Sequence, residues 1–318
     1  MLGRIPAALI GGGILLNVER SRAGIAALAA QLPGNMNAEQ LAHGIIEIAN
    51  WNQANAIRQM TIQRGIDPRG FALLSFGGAG PAQSPAVMDL LGMQACIVPP
   101  NPGNLSAFGL LAVDWRTDQI VTKVMHQDNI DLGAVSTIYS KLEQEALGTL
   151  SRDGIERSRM RLMREADVRY AGQSMEVRVP APGGAVDANF LVTLIDAFNA
   201  AHKRTFGYNY AGQQKIEVVN FCVSGFGLIE RPEVPKLAKR DGAAPARKSI
   251  RPVYFDGAFR DTPVYDRASL LPGFRLNGPA ITEEFGSTTV VFPGQYLEVD
   301  PHGVLIIHSD RRSPEVNQ

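Results

Sequence analysis

Residues 71–118, FALLSFGGAGPAQSPAVMDLLGMQACIVPPNPGNLSAFGLLAVDWRTD, constrain the fold of this chain more than any other stretch. The opening run, residues 71–76, is apolar, long enough for a buried strand and too short for a helix. Gly77, Gly78, Ala79, Gly80 and Pro81 break it. Glycines suit a tight turn in which backbone N–H groups approach a ligand with no side chain in the way. Ala82, Ala86, Val87, Leu90 and Leu91 then recur at helical spacing, and Gly92 is a stop signal. Residues 95–98 read as a second buried strand. Pro99, Pro100, Pro102 and Gly103 form a loop, and Asn104 or Ser106 caps a further helix through Val113. Strand, Gly loop, helix, strand, Pro/Gly loop, helix is a piece of an α/β sheet with ligand-facing loops at the strand ends.

The loop alone leaves two readings open. GGAG does not fit GxGxxG and lacks the Lys-Ser/Thr of a P-loop. It is either a loop facing phosphate or nucleotide, or a tight strand-to-helix turn.

Composition narrows the class. A chain of 318 residues holds about two domains. With 45% hydrophobic and 19% charged residues it has ample material for a core. Lys+Arg and Asp+Glu are both 31, so nothing in the charge points to nucleic acid. Two cysteines, Cys96 and Cys222, exclude a disulfide framework; both sit in apolar, strand-like contexts, as buried thiols of a cytoplasmic protein do. The five histidines are scattered, without zinc-site spacing. Near the N-terminus Gly11, Gly12 and Gly13 interrupt an apolar stretch too short to span a membrane, and no small-residue cleavage site marks a signal peptide.

RGIDPRGFALLSFGGAGPAQSPAVMDLLGM followed by VPPNPGNLSAFGLLAVD resembles the hydantoinase A/5-oxoprolinase family. The resemblance continues through ADVRYAGQSMEVRVP, AFNAAHKRTFGY, IEVVNFCV and PVYFDGAFRDTPVYDRASLLPGFRLNGPAITEEFGSTTVVFPG, in order and over nearly the whole chain. That family includes ATP-dependent hydantoinases, 5-oxoprolinases and homologous subunits of acetone and acetophenone carboxylases. It implies a fold class of α/β plus α+β: a partial actin/Hsp70-like ATPase lobe over residues 1–122, carrying the Gly loop, followed by a β-rich C-terminal domain over 123–310 and a polar tail over 311–318. The N-terminal stretch LGRIPAALIGGGILLNVERSRAGIAAL is similar to a stretch in the middle of full-length members. The expectation is therefore a C-terminal half, whose N-terminal lobe with a DxGGT loop lies on another polypeptide or is missing.

Elsewhere, residues 14–30 look helical. Asn37 with Gln40 makes a capping box for a helix to about Arg64. Its polar residues Asn50, Asn52, Gln53, Asn55 and Arg58 cover faces away from the apolar stripe; Asn52, Asn55 or Arg58 touches ligand or the missing lobe, or the face is solvated or merely hydrogen-bonded. Residues 128–150 and 187–208 read as helices, and 119–124, 159–169, 175–179 and 218–229 as strands. Gln173, Ser174 and Glu176 match a family segment, read as a hairpin turn or a contact to substrate or a partner subunit. His202 reads as a packing residue. Residues 230–248 form a surface connection, and six short strands occupy 249–307. Glu283 and Glu284 are a polar pair flanking a turn, or a general base or metal ligand, since paired carboxylates can be tuned apart.

The resemblance implies ATP and Mg²⁺ as cofactors and Gly77, Gly78, Ala79, Gly80 and Gln83 as nucleotide-facing residues. Hydantoinases commonly carry His where this chain has Gln83, and a Gln donates and accepts but does not titrate. It also implies a hydantoinase B-type partner subunit, a small-molecule substrate, and hydrolysis of a cyclic amide through a phosphorylated intermediate. No membrane or nucleic-acid partner is expected. A non-catalytic assembly module, a truncated remnant or a ketone carboxylase subunit is the alternative.

Overall fold

The structure, a computed structural model, describes residues 1–238 and 245–310. The polar tail at 311–318 and the middle of the 230–248 connection lie outside the described residues. The chain begins with a small hairpin, β1 (Ala8–Leu9) and β2 (Ile14–Leu15). It continues through α1 (Val18–Ala29), α2 (Ala38–Met60), β3 (Ala72–Leu74), α3 (Gly80–Leu91), β4 (Ala95–Val98) and α4 (Leu105–Leu110). Next come β5 (Trp115–His126), α5 (Leu132–Arg152), β6 (Met160–Tyr170), β7 (Val177–Pro180), α6 (Ala188–Phe206) and β8 (Ile216–Gly227). The last stretch holds β9 (Ser249–Phe255), β10 (Ala258–Asp266), β11 (Arg275–Asn277), β12 (Ala280–Glu284), β13 (Ser287–Val291), β14 (Gln295–Val299) and β15 (Leu305–Ser309).

Local signals set the helix ends. The Asn37 side chain accepts from Gln40 N at 2.8 Å while Gln40 Oε1 accepts from Asn37 N at 2.9 Å, the reciprocal capping box. Gly92 ends α3 at φ 63°. Helix α1 starts at Val18, later than residue 14, because Ile14 and Leu15 pair in the β1–β2 hairpin and Asn17 caps the helix. Helix α4 stops at Leu110, three residues short of the expected end. Asn50, expected on a polar face of α2, is instead 1% exposed.

Packing groups Met1–Leu110 with the chain from Glu233 as unit 1, and Leu111–Pro232 as unit 2. This differs from the division expected at residue 122. That position lies inside β5, which pairs with β8 on both sides of it, Gln119 opposite Val223 and Met125 opposite Val218. The β-rich C-terminal stretch joins the Gly-loop region: β15 runs antiparallel to β4, with Ile307 opposite Cys96, and β4 runs parallel to β3. The resulting sheet has the order β11-β14-β15-β4-β3, and a second sheet of unit 1 has the order β13-β12-β10-β9.

Unit 2 is an antiparallel sheet of order β5-β8-β6-β7. The stripes of α5 and α6 bring Tyr139, Leu142, Phe190, Leu194 and Phe198 into one core with Ala166, Val168, Phe221 and Val223. Among the described residues no helix is long and apolar enough to cross a membrane.

One expected burial fails. The run 71–76 has the pattern of a buried strand, yet Phe71, Leu74 and Phe76 are about half exposed, because β3 is an edge of its sheet.

Candidate functional site

The Gly loop lies between the end of β3 and the start of α3, and two other segments of unit 1 brace it. Gly77 N donates to Pro102 O of the Pro/Gly loop at 2.7 Å, and Ser287 Oγ donates to Gly78 O at 3.1 Å. Gly77 needs its glycine for φ +84°. A Cβ on Gly78 would stand 3.0 Å from Gly286 O, at the tip of the β12–β13 hairpin. Part of the loop's glycine content is therefore dictated by its own packing.

The same turn leaves backbone donors free. Among the described residues the N–H groups of Gly78, Ala79 and Gly80 have no protein acceptor. Ala79 stands at the N-cap of the 12-residue α3 and offers no side-chain cap. A helix N-terminus with uncapped N–H groups favours an anion.

The first two of these donors border a cavity of about 1460 Å³ in unit 1. Gly78, Ala79 and Gln83 line it; Gly77 and Gly80 do not. Pro100 and Asn101 form part of the wall, residues 283–288 another, and Leu2, Ile5, Leu9, Ile10 and Ile46 an apolar side. Gln83 Oε1 accepts from Gln53 Nε2 at 2.6 Å, which leaves the Gln83 amide nitrogen as a donor.

The two neighbouring carboxylates occupy contrasting settings. Glu283 accepts from Arg251 Nη1 at 2.6 Å and Lys248 Nζ at 2.9 Å. Burial is the largest single influence and pushes its carboxyl up, but the hydrogen bonds and charges of Lys248 and Arg251 together outweigh it, and the group lies below its ordinary value. Glu284 is pushed above its ordinary value, by burial first, with the charge of Arg267 opposing. Glu284 Oε1 accepts from Arg267 Nη1 at 3.2 Å and Oε2 from Asn101 N at 3.0 Å. Arg267 also donates to Val98 O and Gly303 O, and burial lowers its own pKa. This buried ion pair ties the end of β4, the Pro/Gly loop and the β12–β13 hairpin together around the Gly loop. Around the cavity the side chains of Arg4, Lys248, Arg251 and Arg267 stand against Asp266, Glu283 and Glu284, four positive against three negative charges.

Several residues singled out in the sequence lie elsewhere. Arg58 donates to Asn55 Oδ1 and Leu90 O and stacks on Trp51, a packing role between α2 and α3. Asn52 is absent from the cavity lining. His202 is buried in unit 2 among Tyr170, Phe198, Phe206 and Tyr208, its Nδ1 2.8 Å from Tyr208 O, the packing residue its sequence context suggests. Gln173 closes the β6–β7 turn by donating from its backbone N to Tyr170 O, and Glu176 pairs with Arg169 at 3.5 Å. Cys96 and Cys222 are free and buried; burial first, then nearby carboxylates, pushes their thiols up to about 12 and about 11. Sequence reasoning misses Arg251, Lys248 and Arg267, since no periodicity marks a cation whose partner lies far along the chain. Asn101 was missed as well, although an Asn in a Pro-rich turn, where the left-handed region admits it, is a signal that could have found it; it sits at φ 50°. Among the described residues no group of three or more His, Cys, Asp or Glu could hold a metal ion.

A hydantoinase/oxoprolinase profile matches residues 1–119, and a hydantoinase/oxoprolinase C-terminal domain profile matches 125–309. The chain is 34% identical to the uncharacterized protein MJ0964 of Methanocaldococcus jannaschii, over 96% of this chain and 43% of that protein. It is 32% identical to the caprolactamase subunit alpha of Pseudomonas jessenii, over 92% and 43%. The crystal structure of the ATP-dependent caprolactamase from that organism superposes with a TM-score of 0.74, at 30% identity, over 97% of this chain and 45% of that one. A nucleotide-free acetone carboxylase structure superposes with a TM-score of 0.82, at 27% identity, over the same shares. The chain thus spans less than half the length of the proteins it matches.

Proposed function

The chain belongs to the hydantoinase/oxoprolinase family, and from that premise we propose that it forms one wall of the nucleotide cleft in an ATP-dependent enzyme that hydrolyses a cyclic amide. The observation that carries this reading is the pair of acceptor-free N–H groups, of Gly78 and Ala79, that border a large cavity at the uncapped start of α3. These residues fit a polyphosphate: backbone donors, helix dipole and a surplus of one positive side-chain charge all favour anionic oxygens.

In this reading Gly78 and Ala79 hold phosphate oxygens through N–H groups, and the Gln83 amide nitrogen donates a further hydrogen bond. Gln53 fixes the orientation of that amide. The Arg267–Glu284 pair holds the Pro/Gly loop and the hairpin tip in place against the Gly loop. The apolar side of the cavity excludes water from a neutral ring. ATP, when bound, supplies the phosphoryl group that activates the carbonyl oxygen of the substrate. Mg²⁺ commonly binds through substrate phosphates and water, and it needs no protein cage in this chain. The opposite wall of the cleft comes from a polypeptide corresponding to the rest of the relatives' length, and a hydantoinase B-type subunit completes the assembly. A ketone carboxylase subunit is the competing reading, favoured by the higher TM-score to acetone carboxylase, 0.82 against 0.74.

Calorimetry with MgATP tests the cleft, using the chain alone and mixed with a polypeptide that supplies the remaining lobe. We expect binding in the mixture, at least tenfold weaker for Gly78→Asp, and no ATP turnover by the chain alone. Equal affinity of Gly78→Asp and the parent chain in the mixture would return the loop to a structural turn.

A further inference from the structure

A second, smaller cavity of unit 1, about 170 Å³, lies between α2, α3, the β9–β10 turn and the turn after β13. Its lining shares only Arg4 with the large cavity. His43, Glu47 and Asn50 reach it from α2, at intervals of four and three residues that put them on one helix face. Asp89 comes from α3 and Asp256 from the β9–β10 turn.

Two side chains here are buried with polar atoms unmet. Arg4 is 7% exposed. Its Nη2 donates to Tyr254 O at 3.4 Å and stands 3.3 Å from His43 Nδ1, both long contacts, and its Nε has no partner. Among the described residues no carboxylate is in ion-pair contact with it. The rings of Phe255 and Phe292 lie with their centres 5.7 and 5.2 Å from the guanidinium carbon, and they pack on the group without taking up its hydrogen bonds. Asn50 is 1% exposed, and its Oδ1 meets no donor. A buried guanidinium without a carboxylate and a buried amide oxygen without a donor both cost free energy until something answers them.

The charges around the cavity narrow what can answer. A carboxylate suits Arg4, whose planar fork matches it. A simple anion, however, would also face Glu47, Asp89 and Asp256. Burial lowers the pKa of Arg4 while the charges of Glu47 and Asp256 raise it, so those two carboxylates act on the same group. A simple cation would face Arg4. A molecule carrying both charges meets both demands. It must also be compact, since pockets for larger ligands run from about 300 Å³ upward. We propose that this cavity binds a small amino carboxylate, with its carboxylate on Arg4 and its ammonium group on Glu47 and Asn50 Oδ1. Hydrolysis of a cyclic amide leaves an amine and a carboxylate on one molecule, so a ring-opened product has this chemistry. That identification of the ligand rests on the proposed function; the site itself does not.

The test is a titration of the isotope-labelled intact chain, without ATP or any second polypeptide, read by nuclear magnetic resonance at the Asn50 side-chain amide. The probe is γ-aminobutyrate, with butyrate and butylamine as single-charge controls. We expect a saturable shift at Asn50, none at Gln83 of the large cavity, and affinity at least tenfold weaker for either control. Arg4→Gln should abolish the shift. Glu47→Gln should weaken γ-aminobutyrate at least tenfold without weakening butyrate, and this half-buried position covers the case in which the Arg4 variant does not fold. No saturable shift would leave the cavity to water and overturn the proposal. Butyrate binding as tightly as the probe would make this an anion site, and butylamine binding as tightly a cation site; either overturns it, as does equal probe affinity in Glu47→Gln. Because ATP is absent, failure here leaves the proposed function standing, and failure of the MgATP calorimetry leaves this site standing.

Discussion

Among the described residues most buried apolar side chains of unit 2 meet in one cluster spanning both helices and the sheet, whereas those of unit 1 fall into four clusters. Unit 2 also finishes its polar sheet face. Ser224 Oγ donates to Asp118 Oδ1 at 2.6 Å, and Arg178 and Asn220 both donate to Asp167. The central strands β6 and β8 thus have one face covered by the helices and paired polar groups on the other, while edge strand β5 leaves Ile120 and Val124 about half exposed. Unit 1 contains a strand whose sequence asks for burial on a side where the described chain supplies nothing. The contrast separates a region whose packing is internally satisfied from one that presents an apolar edge and a wide cavity.

The largest expected effect compares one change in both regions. Phe198→Ala in the unit 2 core, at 0% exposure, should cost about 3–5 kcal/mol. Phe76→Ala beside the Gly loop should stay within about 1 kcal/mol, since half of that ring already meets water. Urea denaturation measures both, and equal losses would erase the contrast.

A smaller effect lies in pH dependence within unit 1. Glu283 has a lowered carboxyl in the folded chain, so its contribution to stability is present above the unfolded value and is lost as pH falls through the folded one. Glu284 has a raised carboxyl, so its contribution is fully present below the unfolded value and is lost as pH rises through the folded one. Glu283→Gln should therefore flatten the acid limb of the stability curve, and Glu284→Gln should flatten the decline at higher pH. Chemical denaturation across pH reads both, and slopes of the same sign would contradict the geometry. The smallest effect is Asn37→Ala, which removes one half of the α2 capping box at a loss of about 1 kcal/mol.

Much of the local structure was legible. Asn37 and Gln40, Gly92 and the period of α5 and α6 act over three or four residues, and the same contacts form wherever the helix lies. Six of the seven strands of the described C-terminal stretch were also readable, β11 being the one missed, as was the burial of both cysteines. The candidate site was legible only in part: Gly78, Ala79 and Gln83 line the cavity, while the partners of Glu283 and Glu284 were not identifiable.

Sequence by itself determined the α2 capping box, most element types and the family, because these depend on side chains near one another along the chain or on motifs in order. Tertiary structure alone decided that β15 lies beside β4, that Arg267 meets Glu284 and Val98 O, and that β3 ends up at an edge. A strand's apolar pattern states how much neighbouring surface it needs. It does not state which segment provides that surface, since strand pairing is set by backbone groups that every residue shares.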